Sequence, residues 1–117
     1  MTQPPSASRT PSGLFPAGRN RPTYREPHRV KGGAVAAGAA SAGAWMLVFG
    51  LVDTTLRGYA WWTVFAGAVA WAVAVGLIRA GDRGIAAGIA AATAIGWSAA
   101  AIGVAVGWAT TGDWPMW

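Results

Sequence analysis

The chain has 117 residues, 54% of them apolar and only 11% charged, with a formal net charge of +5 at pH 7. That is about half the charge density of a soluble domain, and between Gly32 and Trp117 the only charged side chains are Asp53, Arg57, Arg79, Asp82, Arg83 and Asp113. So few charges cannot cover the surface of a water-soluble fold, whereas a bilayer accepts Ala, Val, Ile and Trp facing outward.

Residues 1–31 read as a disordered, basic, proline-rich cytoplasmic tail. Pro4, Pro5, Pro11, Pro16, Pro22 and Pro27 lie among Ser, Thr, Arg and Gly, a composition that buries too little apolar surface to offset its ordering entropy. Its polar stretch is too long for a secretory signal peptide, and the apolar run behind it is a full span. Arg19, Arg21, Arg25, Arg29 and Lys31 end directly against that span. Such placement suits a juxtamembrane segment lying on anionic lipid headgroups. The sequence pI of about 11.2 is therefore assigned to membrane lipid rather than to nucleic acid, which such an arm could otherwise touch. Cysteine is absent, which removes disulfides, thiolate metal ligands and lipidated cysteines. The single histidine, His28, cannot supply paired axial haem ligands, and no cofactor or metal is expected.

Residues 32–117 form the predicted transmembrane domain. Three uncharged runs, Gly32–Val52 (21 residues), Gly58–Ile78 (21 residues) and Gly84–Gly112 (29 residues), follow one another. Each of the first two covers about 30 Å as a helix, the thickness of a hydrocarbon core. The third is longer than needed, so its helix is expected to end near Trp108, giving helices over about 32–52, 58–78 and 84–108. The connections, Asp53–Arg57 and Arg79–Arg83, are five residues each, which forces successive helices to run antiparallel. The expected fold is an all-α integral membrane protein, a three-helix up-down-up bundle.

The tail and second loop carry eight of the nine Lys and Arg, and the first loop carries the other. By the positive-inside rule this places the protein in the inner (plasma) membrane, N-terminus cytoplasmic and C-terminus outside. Tyr59, Trp61 and Trp62 cluster where the first loop enters helix 2, and Trp108, Trp114 and Trp117 at the end of helix 3. All six are expected to anchor the outer interface, where amphipathic rings are stable.

Twelve of the thirteen residues in Gly32–Ala44 are Gly, Ala or Ser, and the bulky Trp45–Phe49 segment follows. In helix 3, Gly84, Gly88, Ala92, Gly96 and Ala100 recur every four residues, and Gly96, Gly103 and Gly107 extend the line outward. Small residues at i and i+4 let helix backbones approach closely in lipid, so this strip is a candidate packing face. Ala68, Ala72 and Gly76 offer a comparable strip on helix 2, with Trp71 as a candidate knob. The bundle is expected to pack closely in its cytoplasmic half and to be splayed by aromatics outside. A GC-rich genome imposes the same Ala, Gly, Val, Arg and Pro bias, so spacing alone leaves two explanations open.

The loop Arg79-Ala-Gly-Asp-Arg-Gly84 resembles the Gly/Asp/Arg cytoplasmic turn between the second and third helices of major-facilitator transporters. The resemblance covers only those residues, in a chain with about a quarter of the helices such a transporter has, and is read as a convergent solution for a tight hairpin. Asp82 and Arg79 each suit the helix end they occupy, and Asp53 is expected to satisfy free backbone groups where helix 1 ends. The spans hold no Asp, Glu, Lys, Arg or His, which argues against a charge-lined channel or a proton-coupled carrier. Ser41, Thr63, Thr93 and Ser98 are expected to bond back to carbonyls one turn earlier. No side chain has a partner that would make it a catalytic acid, base or nucleophile. The chain therefore reads as a non-catalytic accessory or assembly subunit of a larger bacterial membrane complex. The alternative is a homo-oligomeric, holin-like pore. Its expected partners are membrane lipids and either a membrane protein or further copies of itself.

Overall fold

The structure, a computed structural model, describes residues 29–116. The tail residues Arg19, Arg21, Arg25 and His28, and Trp117 at the other end, lie outside the described residues. Three helices long and apolar enough to cross a membrane make up the fold: α1 (Gly32–Gly50), α2 (Leu56–Arg79) and α3 (Arg83–Thr111).

The helix ends differ from the sequence expectation for local reasons. α1 stops at Gly50 because the N–H groups of Leu51 and Val52 turn back to the Val48 and Phe49 carbonyls at 3.2 and 3.4 Å. α2 begins at Leu56 because Thr55 caps it, its hydroxyl accepting the Gly58 N–H at 3.0 Å. Asp53 thus serves the start of α2 and not the end of α1: its Oδ1 accepts the Thr55 N–H at 2.8 Å and the Thr55 hydroxyl at 2.9 Å. A carboxylate only accepts, and a helix C-terminus offers carbonyls rather than donors. α3 runs past Trp108 to Thr111. There the Thr110 and Thr111 hydroxyls bond back to Gly107 at 2.9 Å each, and Gly112, at φ +76°, ends the helix with its N–H on the Trp108 carbonyl.

The Thr55 N–H, and then the Thr55 hydroxyl, hold the Asp53 carboxyl below its ordinary value of 3.8. Because the folded-state pKa is depressed, this contribution to stability is present above pH 3.8 and lost as pH falls through the lowered value. Asp53→Asn is therefore expected to melt below wild type at neutral pH. The two melting curves should converge as acid protonates Asp53, and a gap that is constant with pH would refute the charged cap.

The second loop closes the hairpin in three residues. The Asp82 N–H donates to the Leu77 carbonyl at 2.9 Å and the Gly81 N–H to Ile78 at 3.1 Å, a paired helix stop that needs Gly81 at φ +94°. Asp82 then caps α3 at once, its Oδ1 accepting the Ile85 N–H at 3.1 Å.

These short loops leave α1 and α3 parallel to each other and antiparallel to α2. α3 packs against both neighbours, and α1 and α2 meet least. The buried set is small-sided: Ala42, Ala70, Ala74, Ala86 and Ile89 form the core cluster. In lipid, large apolar side chains gain nothing by facing inward, so the small ones take the positions where backbones meet. α2 obeys this with a different face from the one its sequence suggested. Ala60, Thr63, Ala66, Gly67, Ala70 and Ala74 are buried, whereas Ala68, Ala72 and Gly76 are exposed. The buried set includes the alternating three- and four-residue steps 60, 63, 67, 70 and 74, which hold one face of a 3.6-residue helix; a strict four-residue step drifts off it.

Candidate functional site

At the end where α1 starts, the basic end, α1 and α3 come closest. A Cβ on Gly38 would overlap the Ile85 carbonyl of α3, and one on Gly88 would overlap the Val35 carbonyl of α1 and lie 2.7 Å from the Ala39 nitrogen. Gly84 sits over Ala34, whose Cβ would be 2.8 Å from an added methyl. The two backbones pass each other without side chains between them. Further along, Ala92 is half-buried, and Gly96 faces the thioether arm of Met46, 3.0 Å from an added Cβ.

Beyond Gly96 the strip changes partner. Gly103 is exposed and looks toward the Tyr59 ring at 4.0 Å, and Gly107 faces Leu56 of α2 at 2.8 Å. Each four-residue step advances about 40° around a helix, so a row that starts against α1 winds toward α2. α1 has also ended, with 19 residues against 29 in α3.

Two tryptophans at matched depth tie the helices to α2. The Trp45 indole donates to the Ala66 carbonyl at 3.0 Å, and the Trp97 indole to the Thr63 carbonyl at 3.0 Å. Both lie roughly 20 Å from the basic end, where lipid offers the indole N–H no water. The Trp97 ring lies against Gly67, and a Cβ there would collide with its Nε1 and Cε2 atoms. Trp71, the knob suggested by the sequence, instead faces outward, 58% exposed. The knobs are Trp45 and Trp97, and the available signal was the indole donor itself: in mid-span it requires an acceptor, which only another helix supplies.

The hydroxyls divide unevenly. Ser41, Thr63 and Ser98 bond back to Ala37, Tyr59 and Ala94 at 2.8, 2.9 and 2.8 Å. Thr93 does not follow them; it is 1% exposed and its hydroxyl has no hydrogen-bond partner among the described residues.

Toward the other, aromatic end the rings gather. Phe49 stacks between Trp45 at 4.4 Å and Trp62 at 5.6 Å, and Trp108 meets Trp114 edge-on at 5.0 Å. Trp61 is exposed. Tyr59 turns inward, its ring lying between Gly50 of α1 and Gly103 of α3. Two apolar lateral grooves flank this region. One of about 440 Å³ lies between α1 and α3, lined by Gly43, Met46, Leu47, Ile95, Gly96 and Ala99 together with Tyr59. The other, of about 640 Å³, lies between α2 and α3, lined by Val64, Trp97, Ala101, Val104, Trp108 and Met116. Among the described residues no three His, Cys, Asp or Glu side chains gather as metal ligands would. What the arrangement offers chemically is shape: slots for apolar side chains or acyl chains.

No protein-family model, curated protein or solved structure matches the chain.

Proposed function

We propose that the protein is a non-catalytic accessory or assembly subunit of a larger membrane complex, with the grooves of its aromatic half receiving a partner's transmembrane helix. The observation that carries this reading is two apolar lateral grooves, of about 440 and 640 Å³, that the three helices leave open along their aromatic half. A bundle that needed only its own three helices would close such gaps, because each void forfeits dispersion contacts. A helix inserted there packs Leu- or Ile-sized side chains against Gly43, Gly96 and Ala99.

Recovery at native expression tests it. The full chain, tagged at its N-terminus and extracted in mild detergent, is expected to bring down one defined membrane complex in fixed stoichiometry. A free monomer would overturn the reading. Recovery of a homo-oligomer alone would favour the holin-like pore instead, to be checked by conductance across a planar bilayer.

The same proposal places the N-terminus in the cytoplasm and the protein in the plasma membrane. Among the described residues, Arg29, Lys31, Arg79 and Arg83 lie at the basic end and Arg57 alone at the other, an asymmetry that orients bundles of this kind. Replacing Arg19, Arg21, Arg25, Arg29 and Lys31 by Gln is expected to produce a mixed population in reporter fusions at both termini. An unchanged single topology would show that Arg79 and Arg83 suffice or that charge does not decide.

A further inference from the structure

We infer that the basic end holds a specific site for the phosphate of an anionic lipid headgroup, in a cleft between the start of α1 and the second loop. The cleft, about 460 Å³, is lined by Arg29, Lys31, Gly81, Asp82, Arg83 and Gly84. Three cations from two separate parts of the chain thus border one cavity, and the close contact of Gly84 with Ala34 holds the two segments together. None of the three forms an ion pair with a described residue. Among the described residues Asp82 is the one carboxylate on the wall; its Oδ1 accepts the Ile85 amide at the start of α3, and the three cations outnumber it.

The fold adds to this charge. α1 and α3 are parallel, so both helix N-termini arrive at the cleft, and neither has an acidic residue in its first turn. Lys31 holds the N-cap position of α1 and gives it no side-chain cap. Parallel helix dipoles place their positive ends side by side; the Asp82 carboxylate offsets that of α3, and the end of α1 is left without an anion of its own. The cleft is therefore an electropositive cavity, with the cations as its main source and the helix ends as reinforcement.

Depth selects the ligand. Arg29 and Lys31 immediately precede the first apolar span, and Arg83 opens the third. The cleft thus sits where hydrocarbon gives way to headgroups, and a lipid phosphate reaches it while its acyl chains stay beside α1 and α3. The site is distinct from the diffuse attraction expected of the tail, because it depends on Arg83 and on the helix crossing. It is also independent of whether the aromatic half receives a partner.

Native mass spectrometry of the full chain in a neutral detergent, titrated with phosphatidylglycerol or phosphatidylcholine, reads the site directly. Wild type is expected to retain one phosphatidylglycerol in preference to phosphatidylcholine. Lys31→Gln and Arg83→Gln should each weaken that preference about five-fold, whereas Arg79→Gln, at the end of α2 and outside the cleft, should leave it intact. Equal losses in all three variants would reduce the effect to general surface charge and overturn the site. A parallel titration with inorganic phosphate separates the sources: one-to-one phosphate retention without lipid preference would overturn the lipid assignment. Lys31→Gln lies outside the helices, so its result stands even if Arg83→Gln disturbs the start of α3.

Discussion

Gly88→Ala is expected to lower the thermal stability of the detergent-solubilised bundle, while Gly76→Ala leaves it unchanged or raises it. Both substitutions add one methyl to a helical glycine in a span. In aqueous helices that change is favourable by about 0.5–1 kcal/mol, because alanine loses less backbone entropy on ordering. At Gly76 nothing lies within 4 Å of the new Cβ, so the gain is free to appear. At Gly88 the methyl meets the Val35 carbonyl and the Ala39 nitrogen, backbone atoms of α1 that cannot rotate away. The two helices must separate, and overpacking of this kind typically costs about 1–3 kcal/mol. Gly38→Ala, which meets the Ile85 carbonyl from the opposite side, should behave like Gly88→Ala. The measurement is loss of near-ultraviolet circular dichroism on heating, which reports tertiary packing around the aromatic rings. Equal melting temperatures for Gly88→Ala and Gly76→Ala would mean that the recurring glycines reflect composition and not contact. That outcome would restore the explanation the sequence left open.

This contrast also marks how much of the fold is visible in the residues. Three spans, short loops and an antiparallel course follow from hydropathy and charge spacing, because the bilayer imposes length and forbids unpaired backbone. The four-residue glycine step at Gly84 and Gly88 and the Gly-, Ala- and Ser-rich start of α1 are both visible in the sequence, and their meeting is read from the structure. Which face of α2 packs was not visible there. Small residues occupy both Ala68–Ala72–Gly76 and Ala60–Gly67–Ala74, and the placement of Trp97 against Gly67 marks the row that packs. The three- and four-residue steps keep that row on one face, but which neighbour the face meets is a pairwise fact about two helices that no periodicity in either one contains. The basic cleft is hidden for the same reason: Lys31 and Arg83 are far apart in sequence and become neighbours only through the parallel crossing of α1 and α3.

The slot at Gly67 yields the second large effect. Trp97→Phe keeps most of the ring but deletes the donor to the Thr63 carbonyl. Hydrogen bonds between membrane helices average about 0.6 kcal/mol and reach about 1.7, so a modest loss is expected. Gly67→Ala should cost more, on the order of 1–3 kcal/mol. Its methyl lands on the indole Nε1 and Cε2, and a rigid ring held by its hydrogen bond cannot yield by a small rotation. The ring must leave the slot, which breaks the bond and widens the adjoining groove of about 640 Å³ that Trp97 helps to line. The two sites are therefore coupled, and a double-mutant cycle measures the coupling. In a Trp97→Ala background the slot is already empty, so adding Gly67→Ala should cost nothing and even recover the glycine-to-alanine gain of about 0.5–1 kcal/mol. If Gly67→Ala is as damaging without the indole as with it, the penalty comes from α2 itself and the tryptophan joint is not what fixes α3 on that face. If the penalty vanishes, the choice of face on α2 rests on one indole and the missing side chain beneath it.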